Sequence, residues 1–295
     1  MSEVTHTGYV AVVGRPNVGK STLVNRLVGA KVSITSKKAQ TTRHRIHGVL
    51  TSGHHQFVFV DTPGFQTAHR NALNRLMNRS VTQTLADVDL VLFLIEAGRW
   101  GSGEKEVAAL LPQERPVLLV VNKVDRLADR GRLLPFIEKV SQEYPFAEIV
   151  PVSAEKGDNL DELLKTAGRY LPEGEPIFDA DDITDRSERF LAAELLREKL
   201  FRNLGEELPY GMAVEIEKYE QEGQLRRIHA AVIVDKSAHK AIVIGKAGER
   251  LKRISTDARK DMERLFGGRV WLETWVKVKS GWADDERALK SLGYE

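Results

Sequence analysis

Apolar runs alternate with amphipathic stretches through the first 170 or so residues of the chain. Residues 9–13 read as a buried strand, and the segment after residue 21 reads as a helix. Residues 46–50 and 57–60 flank the turn Ser52-Gly53-His54-His55, which predicts a hairpin. Runs at 90–95, 116–121 and 147–152 predict three more strands. Helical patterns near 73–85, 104–111, 133–143 and 160–170 lie between them. Near-continuous apolar strands alternating with helices predict a mostly parallel sheet covered on both faces. Ligands then gather at the carboxyl ends of its strands.

The pattern changes after residue 172. Residues 173–184 are rich in Pro, Gly and acid and are expected to be a linker. A helix is expected to start with Asp185 as N-cap and Glu188 three residues on. Strands at 212–217 and 228–234 alternate in a way that suits a sheet with one wet face, joined across Gln221-Glu222-Gly223. Gly245-Lys246-Ala247-Gly248 then sits between two helical segments, and a last strand covers 270–278. The expected division is a first domain at 1–172, the linker at 173–184, a second domain at 185–279 and a tail at 280–295.

Composition narrows the class. A length of 295 residues suits two domains. Hydrophobic content of 42% and charged content of 29% are ordinary for a soluble globular protein. No apolar run is long enough to span a bilayer, and no basic segment leads into an apolar core, so neither secretion nor insertion is expected. Cys is absent, which excludes disulfides and thiolate metal sites and agrees with the cytosol. A net charge of +2 does not by itself imply nucleic acid.

Four motifs carry the chemistry. Gly14, Arg15, Pro16, Asn17, Val18, Gly19, Lys20 and Ser21 fit G-x-x-x-x-G-K-[ST] between a strand and a helix. Backbone N–H groups of such a loop wrap a di- or triphosphate, Lys20 reaches its β/γ-phosphates and Ser21 holds Mg²⁺. Asp61, Thr62, Pro63 and Gly64 end the second strand of the hairpin. Asp61 suits Mg²⁺, and the Gly64 N–H suits a γ-phosphate. Asn122, Lys123 and Asp125 follow the 116–121 strand. Asp125 can accept from guanine N1–H and the 2-amino group, donors that adenine lacks there. Ser153 and Ala154 follow the last strand, where the Ala154 N–H can meet guanine O6. Each motif alone has a plain reading as a turn or a helix cap. Their order, each at a strand end facing one crevice, does not.

The set GRPNVGKS, DTPG, NKVD and SAE resembles the translation-factor-related family of small GTPases. The resemblance implies GTP and GDP as ligands with Mg²⁺. It favours Thr42 over Thr41 as the residue that closes on Mg²⁺ and the γ-phosphate, and it implies catalytic roles for Lys20, Thr42 and Gly64. Phe65 stands where many signalling GTPases place a water-orienting Gln, with Gln66 next to it. Similar G-x-x-N-x-G-K-S loops use the Asn to help bind K⁺, a role that would fall on Asn17.

The helix–strand–strand–helix–helix–strand order with G-x-x-G resembles the type II KH fold. This marks Gly245, Lys246, Ala247, Gly248, Arg250, Lys252 and Arg253 for RNA. The whole chain is thus expected to be an α/β P-loop (Ras-like) G domain followed by an α+β type II KH domain, and it resembles the Era-like GTPase family. That family implies binding of small-subunit 16S rRNA near its 3′ end, assistance to 30S maturation and a cytoplasmic location. Peripheral association with the inner membrane ranks below RNA. Competing readings are a KH-like platform for protein or membrane, and an ATP-dependent metabolic enzyme. Trp271 and Trp275, on a strand, are expected in the core.

Overall fold

The computed structural model describes residues 5–36, 38, 41–65, 72–205 and 208–292. They divide into two compact units, one of residues 1–33, 42–69 and 77–185, the other of 34–41, 70–76 and 186–295. Lys37, Gln40 and Gln66 lie outside the described residues.

The first unit is a six-stranded sheet in the order β2-β3-β1-β4-β5-β6. The strands are β1 (His6–Gly14), β2 (Ile46–Ser52), β3 (His55–Asp61), β4 (Leu90–Glu96), β5 (Val117–Asn122) and β6 (Glu148–Pro151). Only β2, at the edge, runs antiparallel to its neighbour. Alternate strand residues feed two separate cores. Val10, Val12, Leu90, Leu92, Leu118 and Val120 pack on one face. Ala11, Val13, Val91, Phe93, Leu119 and Val121 pack on the other. Helices α1 (Lys20–Val28) and α5 (Leu160–Gly168) cover the first face with Leu23, Val24 and Leu163. The second face is covered by α2 (Ala72–Asp87), α3 (Ser102–Ala108) and α4 (Leu133–Ser141), through Val81, Val107 and Val140. Each such buried aliphatic side chain is worth about 1.5–3 kcal/mol. Burial on both faces explains why the strands read as unbroken apolar runs. It leaves only the strand ends for polar chemistry.

The stretch expected to be a linker packs along this sheet. Buried Gln56 accepts from the N–H groups of Ile177 and Phe178 (2.7 and 3.0 Å) and donates to the Phe178 carbonyl (2.8 Å). Val49 N–H donates to Ile183 O (2.9 Å), and Thr184 Oγ1 donates to His47 O (2.6 Å). The acid and Pro content hid a segment that satisfies the open edge of β2.

The expected N-cap is corrected. Helix α6 runs Glu188–Asn203, and Ser187, not Asp185, accepts from the Phe190 N–H. Either side chain can supply about 1 kcal/mol as a cap. Asp185 is instead engaged with His47 Nδ1 at 2.8 Å.

The second unit holds a three-stranded sheet of β7 (Met212–Glu222), β8 (Leu225–Val234) and β9 (Arg269–Val278). β8 pairs antiparallel with β7 and parallel with β9. One face meets α6, α7 (Ser237–Ile244) and α8 (Glu249–Phe266) in a core that includes Leu196, Leu200, Ile228, Val232, Val243, Ile254 and Val276. The opposite face carries Trp271, which is 44% exposed beside His229 and Arg227. The expectation that Trp271 is core is therefore corrected, because its place in the alternation points it away from the helices. Trp275 on that face is half-buried. Trp282 is the buried one, donating to Gly211 O at 3.1 Å. The stretch expected as a tail closes over this end of the sheet. Trp282, Ala288 and Leu289, the last two from α9 (Glu286–Ser291), pack with Ala213, Ala231 and Ile233.

Candidate functional site

The G-x-x-x-x-G-K-S loop leaves β1, which lies between β3 and β4; β2 and β3 lie to one side of it and the later strands to the other. That reversal opens a crevice at the carboxyl ends of the strands. Gly19 has φ +107°, and a Cβ there would lie 2.3 Å from Asn122 Nδ2, so backbone and close approach both require glycine. Asn122 Nδ2 donates to Val18 O (2.8 Å), and its Oδ1 accepts from the Ala154 N–H (3.0 Å). Lys123 Nζ donates to Asn17 O (2.7 Å) and to Glu96 Oε2 (2.9 Å). Ser153 Oγ donates to Asp125 Oδ1 (2.6 Å). Three of the four predicted motifs are thus tied into one rim. The tie comes from Asn122, Lys123 and Ser153.

Lys20 Nζ donates to Gly14 O (3.0 Å) and Arg15 O (2.9 Å), an ammonium wrapped in its own loop. Burial holds its pKa down at about 8, with Asp61 pulling the other way. Ser21 Oγ and Thr42 Oγ1 share a hydrogen bond of 2.9 Å, and Thr42 Oγ1 donates to Asp61 Oδ2 at 3.4 Å. The predicted metal residues Ser21, Thr42 and Asp61 therefore meet. Burial pushes the Asp61 carboxyl up, while Ser33, Ser21, Lys20 and Thr42 draw it back. Asp61 Oδ1 is buried and has no hydrogen-bond partner among the described residues. An all-oxygen donor set with one orphaned carboxylate oxygen fits Mg²⁺. When bound there, Mg²⁺ supplies positive charge beside the transferred phosphoryl group.

Other predicted residues take supporting parts. Thr62 Oγ1 donates to Val12 O (2.9 Å), so its hydroxyl serves the sheet. Buried Pro63 leads to Gly64, which packs against Pro16. The Arg15 guanidinium pairs with buried Glu104 at 3.1 Å. Phe65 packs against the second core, so it cannot orient water. Ser33, Asn25, Glu96 and Glu104 lie outside the sequence motifs, yet the fold brings them to the site. Glu96 ends β4, and the rule that ligands gather at strand ends marks such a position.

The second unit presents a separate site. Gly245 (φ +73°) ends α7, Ala247 sits at φ +49°, and Gly248 (φ +79°) starts α8. A Cβ on Gly245 would lie 2.7 Å from Arg250 Cβ, whereas one on Gly248 would meet nothing within 4 Å. The first glycine lets the loop close and the second leaves room for a ligand backbone. A groove of about 360 Å³ opens beside it, lined by Leu251, Lys252, Ser255 and Arg259 of α8 and Leu272 and Thr274 of β9. Ser255 Oγ and Thr274 Oγ1 share a 2.7 Å hydrogen bond across it. Lys246, Lys252 and Arg253 are exposed. Arg250 instead braces the loop, donating to Ile242 O at 2.6 Å. Ser255 and Thr274 were missed because only the helix–strand pairing brings them together.

The profile of the family described as 50S ribosome-binding GTPase matches residues 9–123, and that of the KH domain matches residues 207–283. The GTPase Era of Nitrosomonas eutropha is 60% identical over 288 residues, 98% of this chain and 97% of the relative. That of Chromobacterium violaceum is 59% identical, covering 98% of each.

The chain belongs to the Era family of GTPases.

Two solved Era structures cover 98% of this chain and 99% of their own, each with a TM-score of 0.94. One, 42% identical, is Era in complex with MgGDPNP and nucleotides 1506–1542 of 16S ribosomal RNA. The other, 43% identical, is an Aquifex aeolicus Era variant bound to GDP and aluminium fluoride. Both parts of the expected fold, a Ras-like P-loop domain and a KH domain, are therefore present, and the protein is an Era-family GTPase.

If phosphate binds the charged form of Lys20, affinity for GDP is full well below its pKa of about 8 and falls as pH rises through it. A loss of about tenfold between about pH 7 and pH 9 is expected in fluorescence titrations of the nucleotide-free protein. A flat profile across that window would contradict the placement of Lys20.

Proposed function

We propose that this Era-family GTPase binds 16S rRNA near its 3′ end through the Gly245–Gly248 loop and the groove beside it, with GTP and Mg²⁺ bound in the first unit. The observation that carries this reading is the left-handed Gly-Lys-Ala-Gly loop opening onto a groove with Lys252 and Arg259, free of backbone obstruction at Gly248. Phosphates would track the loop and Lys246, while bases would settle between α8 and β9. The relative solved with 16S rRNA and MgGDPNP supports the choice of RNA. The nucleotide state would switch this affinity during 30S maturation in the cytoplasm, through Thr42, whose hold on Mg²⁺ a γ-phosphate would strengthen.

Half-buried Phe65 packs against the second core and offers no hydrogen bond to orient water or to steady charge at the phosphates. We assign part of that charge to K⁺ at Asn17, an exposed residue held at φ +64° with its carbonyl on Lys123. A cation beside the phosphates would replace an arginine finger.

Replacing Gly245 and Gly248 together by Asp should weaken single-stranded rRNA binding at least about tenfold. GTP hydrolysis in the absence of RNA should be unchanged. Unaltered binding, with melting curves that show a folded second unit, would move the reading to a protein-docking platform. Hydrolysis should run faster in K⁺ than in Na⁺, and Asn17→Ala should erase the difference. Equal wild-type rates in the two salts would sink the K⁺ assignment.

A further inference from the structure

Ser33 belongs to no motif, yet it is fully buried and held on three sides. The Asn25 amide clamps its backbone, with Oδ1 accepting from Ser33 N–H (2.8 Å) and Nδ2 donating to Ser33 O (2.6 Å). Its Oγ donates to Asp61 Oδ2 at 2.5 Å. An O–H···O⁻ bond of that length is charge-assisted and at the strong end of its range. Asn25 lies one turn beyond Ser21 on α1, so a single helix supplies both a residue of the metal cluster and the clamp.

A carboxylate turns about a soft, two-fold torsion. Left alone beside Ser21, Thr42 and Lys20, Asp61 could present either oxygen to any of them. The Ser33 hydroxyl removes that freedom. It occupies Oδ2, and Oδ1 is left buried and without a partner among the described residues. Thr42 reaches only Oδ2, and at the longer distance of 3.4 Å.

We propose that Ser33 is a positioning residue for Mg²⁺: its hydroxyl, fixed by Asn25, aims Asp61 Oδ1 at the ion or at its bound water. The inference rests on the reading of Ser21, Thr42 and Asp61 as the Mg²⁺ cluster. A residue acting only in folding would weaken nucleotide binding with or without the ion. A positioning residue changes the response to Mg²⁺ alone.

The test is the release of a fluorescent GDP analogue from the full-length protein, followed as Mg²⁺ is titrated and again in EDTA. Ser33→Ala should raise the Mg²⁺ concentration that half-slows release by about 10- to 100-fold, the range for residues that orient metal ligands. Its release rate in EDTA should match wild type. Asn25→Ala should shift the curve in the same direction, and it decides the matter if Ser33→Ala does not fold. Asp61→Asn separates the two levels of the argument. If Asp61→Asn leaves the curve in place, the Mg²⁺ reading of the cluster fails. If Asp61→Asn shifts it and Ser33→Ala coincides with wild type, Ser33 is not a positioning residue.

Discussion

The first unit depends on a single side-chain amide. Asn122 ends a strand buried on both faces, and from there it bonds to Val18 O and the Ala154 N–H. Losing it would leave a buried carbonyl and a buried N–H unpaired, at about 1–3 kcal/mol each. It also fixes the identity of residue 19, where a side chain would collide with Nδ2. The Gly14–Ser21 loop, the Asn122–Asp125 loop and the Ser153-Ala154 turn are therefore held at a fixed spacing by side chains of the protein itself. Preorganisation of this kind is what lets binding energy go into discrimination rather than into ordering loops.

Strain is concentrated in the same places. Among the described residues, four non-glycine residues have positive φ: Asn17, Lys123, Asn159 and Ala247. The first two lie in the nucleotide rim and the last in the G-x-x-G loop, and the carbonyl of Asn17 is held by Lys123 itself. Backbone strain of about 1–3 kcal/mol per residue persists only where surroundings over-determine it. Charge is handled likewise. Lys20 and Asp61 are both buried at the crevice, each with bonding capacity that its neighbours only partly use. An anion and a divalent cation complete what the fold leaves open.

Motifs whose residues act at one place in sequence were legible. The phosphate-loop pattern, Asp61 and Asp125 stood out from local pattern and strand context, the G-x-x-G loop from the order of elements around it, and Thr42 over Thr41 only from the family resemblance. What escaped depends on pairings made in three dimensions. Ser33 and Asn25 matter because α1 returns the chain beside Asp61, and Ser255 matters because α8 packs on β9. Charge alone marks Arg250 for RNA; its reach back to Ile242 O, which also braces the loop, shows only in three dimensions. Asp185 looked like a cap, but His47 competes for it. Trp271 looked like core, but strand alternation, not hydrophobicity, sets which face of the sheet it joins.

On the proposed function, nucleotide state governs the grip on single-stranded RNA. The direct measurement is fluorescence anisotropy of a labelled RNA matching the 3′ end of small-subunit rRNA, taken with a non-hydrolysable GTP analogue and again with GDP. The account predicts tight binding with the analogue and binding at least about tenfold weaker with GDP, a coupling of about 1.4 kcal/mol or more. Equal affinity in the two states would contradict it and leave the second unit a clamp that the GTPase does not switch.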